Sequence, residues 1–168
     1  MKLKQNMSAH PVTVRFKDDL ASAYIRMKRD GFRHMPVIDD MGKVVGIISD
    51  RDFQRAMWPE SSSAANVIPD TPQFRKDAKV SEYMSWPLRT LNEDVGLQTA
   101  VEIMIEEKIS AIVVTRKDAM VGILTHEDLL KVLATILKNP NSIREKVENI
   151  GYLTPLGRVS EMLAAAGI

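Results

Sequence analysis

Apolar positions along the chain follow two rhythms, one of strands and one of helices, and the same succession of rhythms occurs twice. Val12-Thr13-Val14 is a short β-branched run, suited to a strand. Leu20, Ala23, Tyr24 and Met27 then recur at spacings of three and four, which places them on one face of an amphipathic helix. Two further runs, Met35-Pro36-Val37-Ile38 and Val44-Val45-Gly46-Ile47-Ile48, flank Asp39-Asp40-Met41-Gly42. Asp and Gly between two such runs predict a hairpin. In the second half Ala111-Ile112-Val113-Val114 and Met120-Val121-Gly122-Ile123-Leu124 are the counterparts. Each half reads strand, helix, strand, strand, helix, so an α/β protein of the α+β type is expected.

The halves are copies in detail as well as in rhythm. At an offset of 77, Leu3 falls on Val80, Met7 on Met84, Ser8 on Ser85, Thr13 on Thr90, Leu20 on Leu97, Ala23 on Ala100 and Met27 on Met104. At an offset of 76, Val45 to Ile47 fall on Val121 to Ile123, Ser49 on Thr125 and Asp52 on Asp128. The one-residue slip belongs to the stretch between Gly31 and Gly42, where turn residues make a length change cheap. Between the copies, Pro59-Glu60-Ser61-Ser62-Ser63 and Pro69-Asp70-Thr71-Pro72 read as a linker. The expected organisation is a first repeat over 1–57, a linker over 58–78, a second repeat over 79–138 and a C-terminal extension over 139–168.

Each copy closes on one motif. Gly46, Ser49 and Asp52 match Gly122, Thr125 and Asp128, with two apolar residues after each Gly and two variable residues before each Asp. A single Ser/Thr-x-x-Asp is first of all a capping box, whose hydroxyl and carboxylate satisfy the exposed amides of a helix start. Two copies inside a whole-domain repeat shift the balance toward a ligand site. Together with the Met7-Ser8 and Met84-Ser85 openings and the Met35-Pro36-Val37 strand, the motif resembles the signature of CBS domains, over about residues 3–137.

The resemblance implies two β-α-β-β-α repeats packed about a pseudo-twofold axis, with two clefts that in this family commonly take adenine nucleotides or related adenosyl compounds. It implies that Asp52 and Asp128 hold ribose hydroxyls, that Ser49 and Thr125 bind near ribose or phosphate, and that Thr13 and Thr90 line the clefts. Strand residues around Met35, Pro36, Ala111 and Ile112 would surround the base. A carboxylate supplies acceptors for a ribose diol and a helix N-terminus supplies donors for phosphate. The expected regulatory ligand is AMP, ADP or ATP, with S-adenosylmethionine and NAD as alternatives, and no cofactor is expected.

Charge distinguishes the two sites. The first repeat carries Arg33, His34 and Arg51 where the second carries Ser110, Ala111 and Glu127. Arginine offers phosphate a rigid bidentate fork, so the Asp52 cleft is expected to take the more phosphorylated ligand. The plain alternative is a solvated basic face.

Composition removes other classes. Lys plus Arg number 23 against 22 Asp plus Glu, so no field of one sign marks a nucleic-acid binder. There is no cysteine, hence no disulfide framework or thiolate nucleophile. His10, His34 and His126 lack metal-ligand spacing. No nucleophile elbow or P-loop occurs, and the chain is read as a non-enzyme, a nucleotide-processing enzyme being the remote alternative and a structural dimerisation module with vestigial clefts the nearer one. No apolar stretch approaches the ~18 residues of a membrane span, and no secretory leader opens the chain, so a cytoplasmic protein is expected. Aromatic residues are 5% and Met number ten, predicting a core filled by aliphatic side chains and Met. Beyond Asn139-Pro140, Ile143, Val147 and Ile150, then Leu156, Val159 and Leu163, form two helical stripes. A homodimer is expected from the resemblance, with this tail adding contacts or recruiting a separate effector protein.

Overall fold

The computed structural model describes residues 1–57 and 74–138. The linker from 58 to 73 and the extension from 139 lie outside the described residues. The chain divides into a unit Met1–Asp128 and a second unit from Leu129 onward.

The first unit opens with a 3₁₀ turn, Leu3–Gln5, followed by β1 (Ser8–Ala9), β2 (Val14–Arg15), α1 (Leu20–Asp30), β3 (His34–Ile38), β4 (Val44–Ser49) and α2 (Asp50–Met57). The order then recurs, without a counterpart of β1, as α3 (Val80–Tyr83), β5 (Thr90–Asn92), α4 (Leu97–Glu106), β6 (Ala111–Arg116), β7 (Ala119–Thr125) and α5 (His126–Lys138). Helix α1 starts where the Asp19 carboxylate accepts from the Ser22 amide, and stops at Gly31, whose φ of 72° closes the helix in the left-handed region. Both ends follow the capping rules. The first strand is shorter than its β-branched run, because pairing begins only at Val14.

In each repeat a parallel strand joins an antiparallel hairpin. Val14 pairs with Val37 and Leu91 with Val114; these two pairs are related throughout by an offset of 77. The slip to 76 sits in the hairpin turns. Ile38 pairs with Val44 around residues 39–43, and Thr115 with Met120 around residues 116–119, one residue fewer. Asp39 Oδ1 accepts from the amides of Met41 and Lys43 and Gly42 has a φ of 77° in the longer turn. Lys117 and Asp118 take φ of 48° and 66° in the tighter one, as a two-residue hairpin of this hand requires.

The opening segments are exchanged. β1 pairs antiparallel with β7, Ser8 opposite Ile123 and Ala9 opposite Gly122, and Ile47 of β4 bridges to Ser85. The exchange extends to the turns before these strands. Leu3 N–H donates to Val95 O and Leu97 N–H to Met1 O, while Val80 N–H donates to Asp18 O and Leu20 N–H to Ala78 O. Residues 1–9 therefore complete the second repeat, and residues 78–85 complete the first.

Close approach of the backbones sets the glycines. A Cβ on Gly122 would lie 2.5 Å from Met7 Sδ and 2.9 Å from the Ser8 carbonyl oxygen; on Gly46, 2.7 Å from Met84 Sδ and 3.1 Å from the Ser85 carbonyl oxygen. The Gly that heads each motif is where the other repeat's strand lies down.

The first core gathers Val14, Leu20, Ala23, Met27, Met35, Val37, Ile48, Phe53, Ala78 and Val80. Met27, Met35 and Met104 are fully buried, in line with a Met-filled interior. Beside them, however, Tyr24, Phe53 and Phe74 form an edge-to-face cluster with centroids 5.4–6.2 Å apart. Phe74 thereby brings the end of the linker region into the first core.

In the second unit, residues 129–138 continue α5, with Leu130, Leu133 and Leu137 exposed. Among the described residues no helix is long and apolar enough to cross a membrane.

Replacing Gly122 by Ala forces Cβ against a backbone carbonyl and is expected to cost about 1–3 kcal/mol, the usual range for overpacking. Gly46→Ala, whose Cβ would lie 3.1 Å rather than 2.9 Å from the facing carbonyl oxygen, should cost less. Urea denaturation of the two variants checks the order; equal and negligible losses would contradict it.

Candidate functional site

The two motifs sit at strand-to-helix junctions. Ser49 ends β4 and Thr125 ends β7, and a helix starts at the next residue. Ser49 donates its amide (2.8 Å) and hydroxyl (2.7 Å) to Asp52 Oδ2. Thr125 donates its amide (2.9 Å) and hydroxyl (2.7 Å) to Asp128 Oδ2, and its hydroxyl accepts from the Asp128 amide at 3.3 Å. Both carboxylates are buried, Asp52 at 5% and Asp128 at 8% exposure. Satisfaction of this kind is what burial of a charged group requires.

The remaining oxygens differ. Asp52 Oδ1 accepts from the Arg55 guanidinium at 2.7 Å. Asp128 Oδ1 accepts from the Ser8 hydroxyl at 3.3 Å. In the repeat Ser8 corresponds to Ser85, and Arg55 stands three residues after Asp52 as Lys131 stands after Asp128. Ser8 was legible only as the opening of its own repeat, and nothing in the sequence places it 120 residues away.

Strand register brings the other candidates to the same end of each sheet. His34 pairs with Ser49, Met35 with Ile48 and Pro36 with Ile47; Val14 pairs with Val37, so Thr13 is level with Pro36. In the second repeat Ala111 pairs with Thr125, Ile112 with Leu124 and Thr90 with Val113. Thr13 is half-buried and Thr90 exposed. Met35 and Ile112 are fully buried and Pro36 is buried, so the side chains of this trio belong to the interior beneath the junctions. Ala111 is half-buried.

The charged candidates divide. Arg33 and Arg51 are exposed. Arg33 Nε lies 3.4 Å from Asp50 Oδ2, an ion pair screened by solvent. His34 is half-buried, and its Nε2 shares a 2.8 Å hydrogen bond with the Ser110 hydroxyl. The first residue of β3 and the residue just before the equivalent strand β6 thus meet directly. Ser110 O accepts from the His126 amide, as Arg33 O does from the Asp50 amide. Burial pushes the His34 imidazole below its ordinary value; Asp50 opposes this, His126 adds to it, Asp52 opposes it and Arg33 adds to it more weakly.

Two intermixed α and β repeats that exchange their opening segments, each with a hydroxyl-and-carboxylate lock at a strand-to-helix junction, define a paired-repeat binding scaffold. Residues 3–59 and 80–135 match the CBS domain family, and the chain belongs to it, carrying two copies in tandem. It is similar to the CBS domain-containing protein DDB_G0289609 of Dictyostelium discoideum, with 26% identity over 81% of this chain and 93% of that one. It also matches inosine-5'-monophosphate dehydrogenase of Aquifex aeolicus, with 27% identity over 96% of this chain and 30% of the enzyme. The first curated relatives, the uncharacterized proteins MJ1404 and MJ1225 of Methanocaldococcus jannaschii, are 25% and 33% identical over 82% and 64% of this chain. The matches cover 33% and 38% of their lengths. Among solved structures, a Vibrio cholerae protein named for acetoin utilization (AcuB) superposes with a TM-score of 0.66 at 28% identity, over 84% of this chain and 96% of that one. The CBS domain pair of protein MJ0100, bound to 5-methylthioadenosine and S-adenosyl-L-methionine, has the same fold, with a TM-score of 0.66 at 23% identity over 80% of this chain and 97% of that one.

A folded-state His34 held below its unfolded value near 6.5 makes stability depend on pH in one direction. Above about 6.5 neither state is protonated there. As pH falls below it, the unfolded chain takes up a proton that the folded chain resists, so stability drops until the folded value is reached. The carboxylates Asp19, Asp30, Asp77, Glu82, Glu93 and Asp94 are held low by their donors, so their contribution is lost only at more acidic pH, below about 4. Melting temperatures between pH 8 and 5 should fall more steeply for the wild type than for His34→Asn; parallel curves would contradict this.

Proposed function

We propose that this chain is a regulatory module that takes an adenine nucleotide or related adenosyl compound at its CBS repeats and passes the bound state to a separate partner protein. The observation that carries the reading is the pair of buried Asp carboxylates, each anchored by a Ser or Thr at the start of a helix and each at the same end of its sheet as Thr13 or Thr90. Such a carboxylate can hold a ribose diol while neighbouring helix-start amides face phosphate. The complex of the MJ0100 pair with adenosyl ligands, a similar fold, supports the ligand class. AMP, ADP and ATP are the first candidates, with S-adenosylmethionine and NAD after them.

Binding works through linkage. A ligand that prefers one arrangement of the repeats shifts the population toward it, and the exchanged segments give the repeats a shared set of hydrogen bonds through which such a preference acts. A homodimer is part of the proposal, as is a cytoplasmic setting for sensing nucleotides. The module is proposed to have no catalytic step of its own, whatever longer relatives do.

A second reading rests on one observation: among the described residues no buried side-chain nitrogen or oxygen lacks a hydrogen-bond partner, and both Asp carboxylates are engaged inside the protein. Caps alone would account for that, leaving a structural or dimerisation module.

Thermal shift against AMP, ADP, ATP, NAD, S-adenosylmethionine and cyclic dinucleotides separates the two, since a ligand binding only the folded state raises its melting temperature. A shift with at least one adenosyl compound is expected. Silence across the panel at millimolar ligand would leave the structural reading. Asp52→Asn or Asp128→Asn, in protein shown to be folded by circular dichroism, should weaken binding about 10–100-fold, the worth of hydrogen bonds to a charged acceptor. Arg51→Glu should weaken the most phosphorylated ligand most; unchanged affinity would remove Arg51 from the site.

A further inference from the structure

Asp52 has one oxygen committed to its helix cap and one held by a solvent-exposed cation. Oδ2 takes the amide and hydroxyl of Ser49. Oδ1 takes an Arg55 guanidinium nitrogen at 2.7 Å, and the same nitrogen lies 3.3 Å from the Tyr83 carbonyl oxygen. Asp52 is nearly inaccessible, with 7% of its side chain exposed, whereas the Arg55 side chain is 68% exposed. Arg55 therefore reaches down from solvent onto the acceptor that the proposed function assigns to ribose. It sits one helical turn beyond Asp52 on α2 and touches the segment donated by the second repeat.

We infer that Arg55 is a specificity-determining residue that makes the first cleft select phosphorylated nucleosides over neutral ones. The inference rests on the proposed assignment of Asp52 to ribose. A ribose diol reaching Oδ1 competes with the guanidinium for it. A neutral nucleoside replaces an ion pair with hydrogen bonds from uncharged hydroxyls and leaves the arginine to solvent, a net loss. A ligand carrying a phosphate gives the displaced fork a new anionic partner. Arg55 can exchange carboxylate for phosphate by side-chain rotation alone, because its side chain is long and largely exposed. The selective element is thus an internal competitor: it penalises every ligand equally on entry and rewards only those with an anionic group. Contact with the Tyr83 carbonyl ties the same movement to the exchanged segment.

The test compares adenosine with AMP by isothermal titration for the wild type, Arg55→Ala, Arg55→Gln and Arg55→Lys. Removing the guanidinium should raise affinity for adenosine and lower it for AMP, so that the AMP-to-adenosine affinity ratio falls about tenfold or more. Arg55→Gln, which keeps length without charge, should behave like Arg55→Ala. Arg55→Lys should fall between, retaining charge without the fork. An unchanged ratio in variants that still bind either compound overturns the inference and leaves the proposed function standing. A similar fall in affinity for both compounds also overturns it, marking Arg55 as support for the fold around Asp52. Absence of binding by the wild type and all three variants overturns both.

Discussion

Everything else in the first unit depends on the close approach of two backbones at Gly46 and Gly122. Each glycine lets a Met-Ser strand from the other repeat lie against the second strand of a hairpin, with a sulfur and a carbonyl oxygen where a Cβ would otherwise be. Without that approach β1 has no partner in β7, Ser85 has none in β4, and the buried Leu3 and Val80 lose the interiors they fill. Neither hairpin with its helices is complete without residues that its own half of the chain does not supply. The repeat in sequence is thus not the repeat in space.

That exchange also accounts for the difference between two motifs that look equivalent. Both Asp residues cap their helices in the same way through Oδ2, because a Ser or Thr three residues earlier leaves no other local choice. Their other oxygens are finished by neighbours. Ser8 arrives at Asp128 on the exchanged strand, while Arg55 reaches Asp52 from its own helix and touches Tyr83 of the exchanged helix. The Ser8 hydroxyl on Asp128 and the Arg55 guanidinium on Asp52 give a pseudo-symmetric scaffold two junctions whose contacts differ. The His34 to Ser110 contact adds a direct polar link between the repeats, at strand starts that also carry Asp50 and His126 close by.

Much of the fold was legible from the chain because the signals are local. The three-four spacing of Leu20, Ala23 and Met27, the turn chemistry of Asp39 to Gly42 and the Ser/Thr-x-x-Asp caps each act within a few residues. Steric and hydrogen-bond preferences at that range are nearly independent of the rest of the protein. The offset between copies even recorded the difference in turn length, which the structure places at residues 39–43 against 116–119. The clustering of Tyr24, Phe53 and Phe74 was not legible from a low aromatic content, since composition counts residues without saying which of them meet.

The sequence by itself determined the strand, helix, strand, strand, helix succession of each repeat, its duplication, the family and the two capped carboxylates, all of which follow from spacing along one chain; the turns and strand of the exchanged openings did not. Tertiary structure alone decided which strand lies beside which, that Ser8 faces Asp128, that Arg55 touches Tyr83 and that His34 meets Ser110. The physical reason is that backbone amides and carbonyls are the same in every strand, so the sequence of a short strand does not name its partner. Only the fit of whole surfaces, here two glycines opposite two Met-Ser segments, selects one pairing over another.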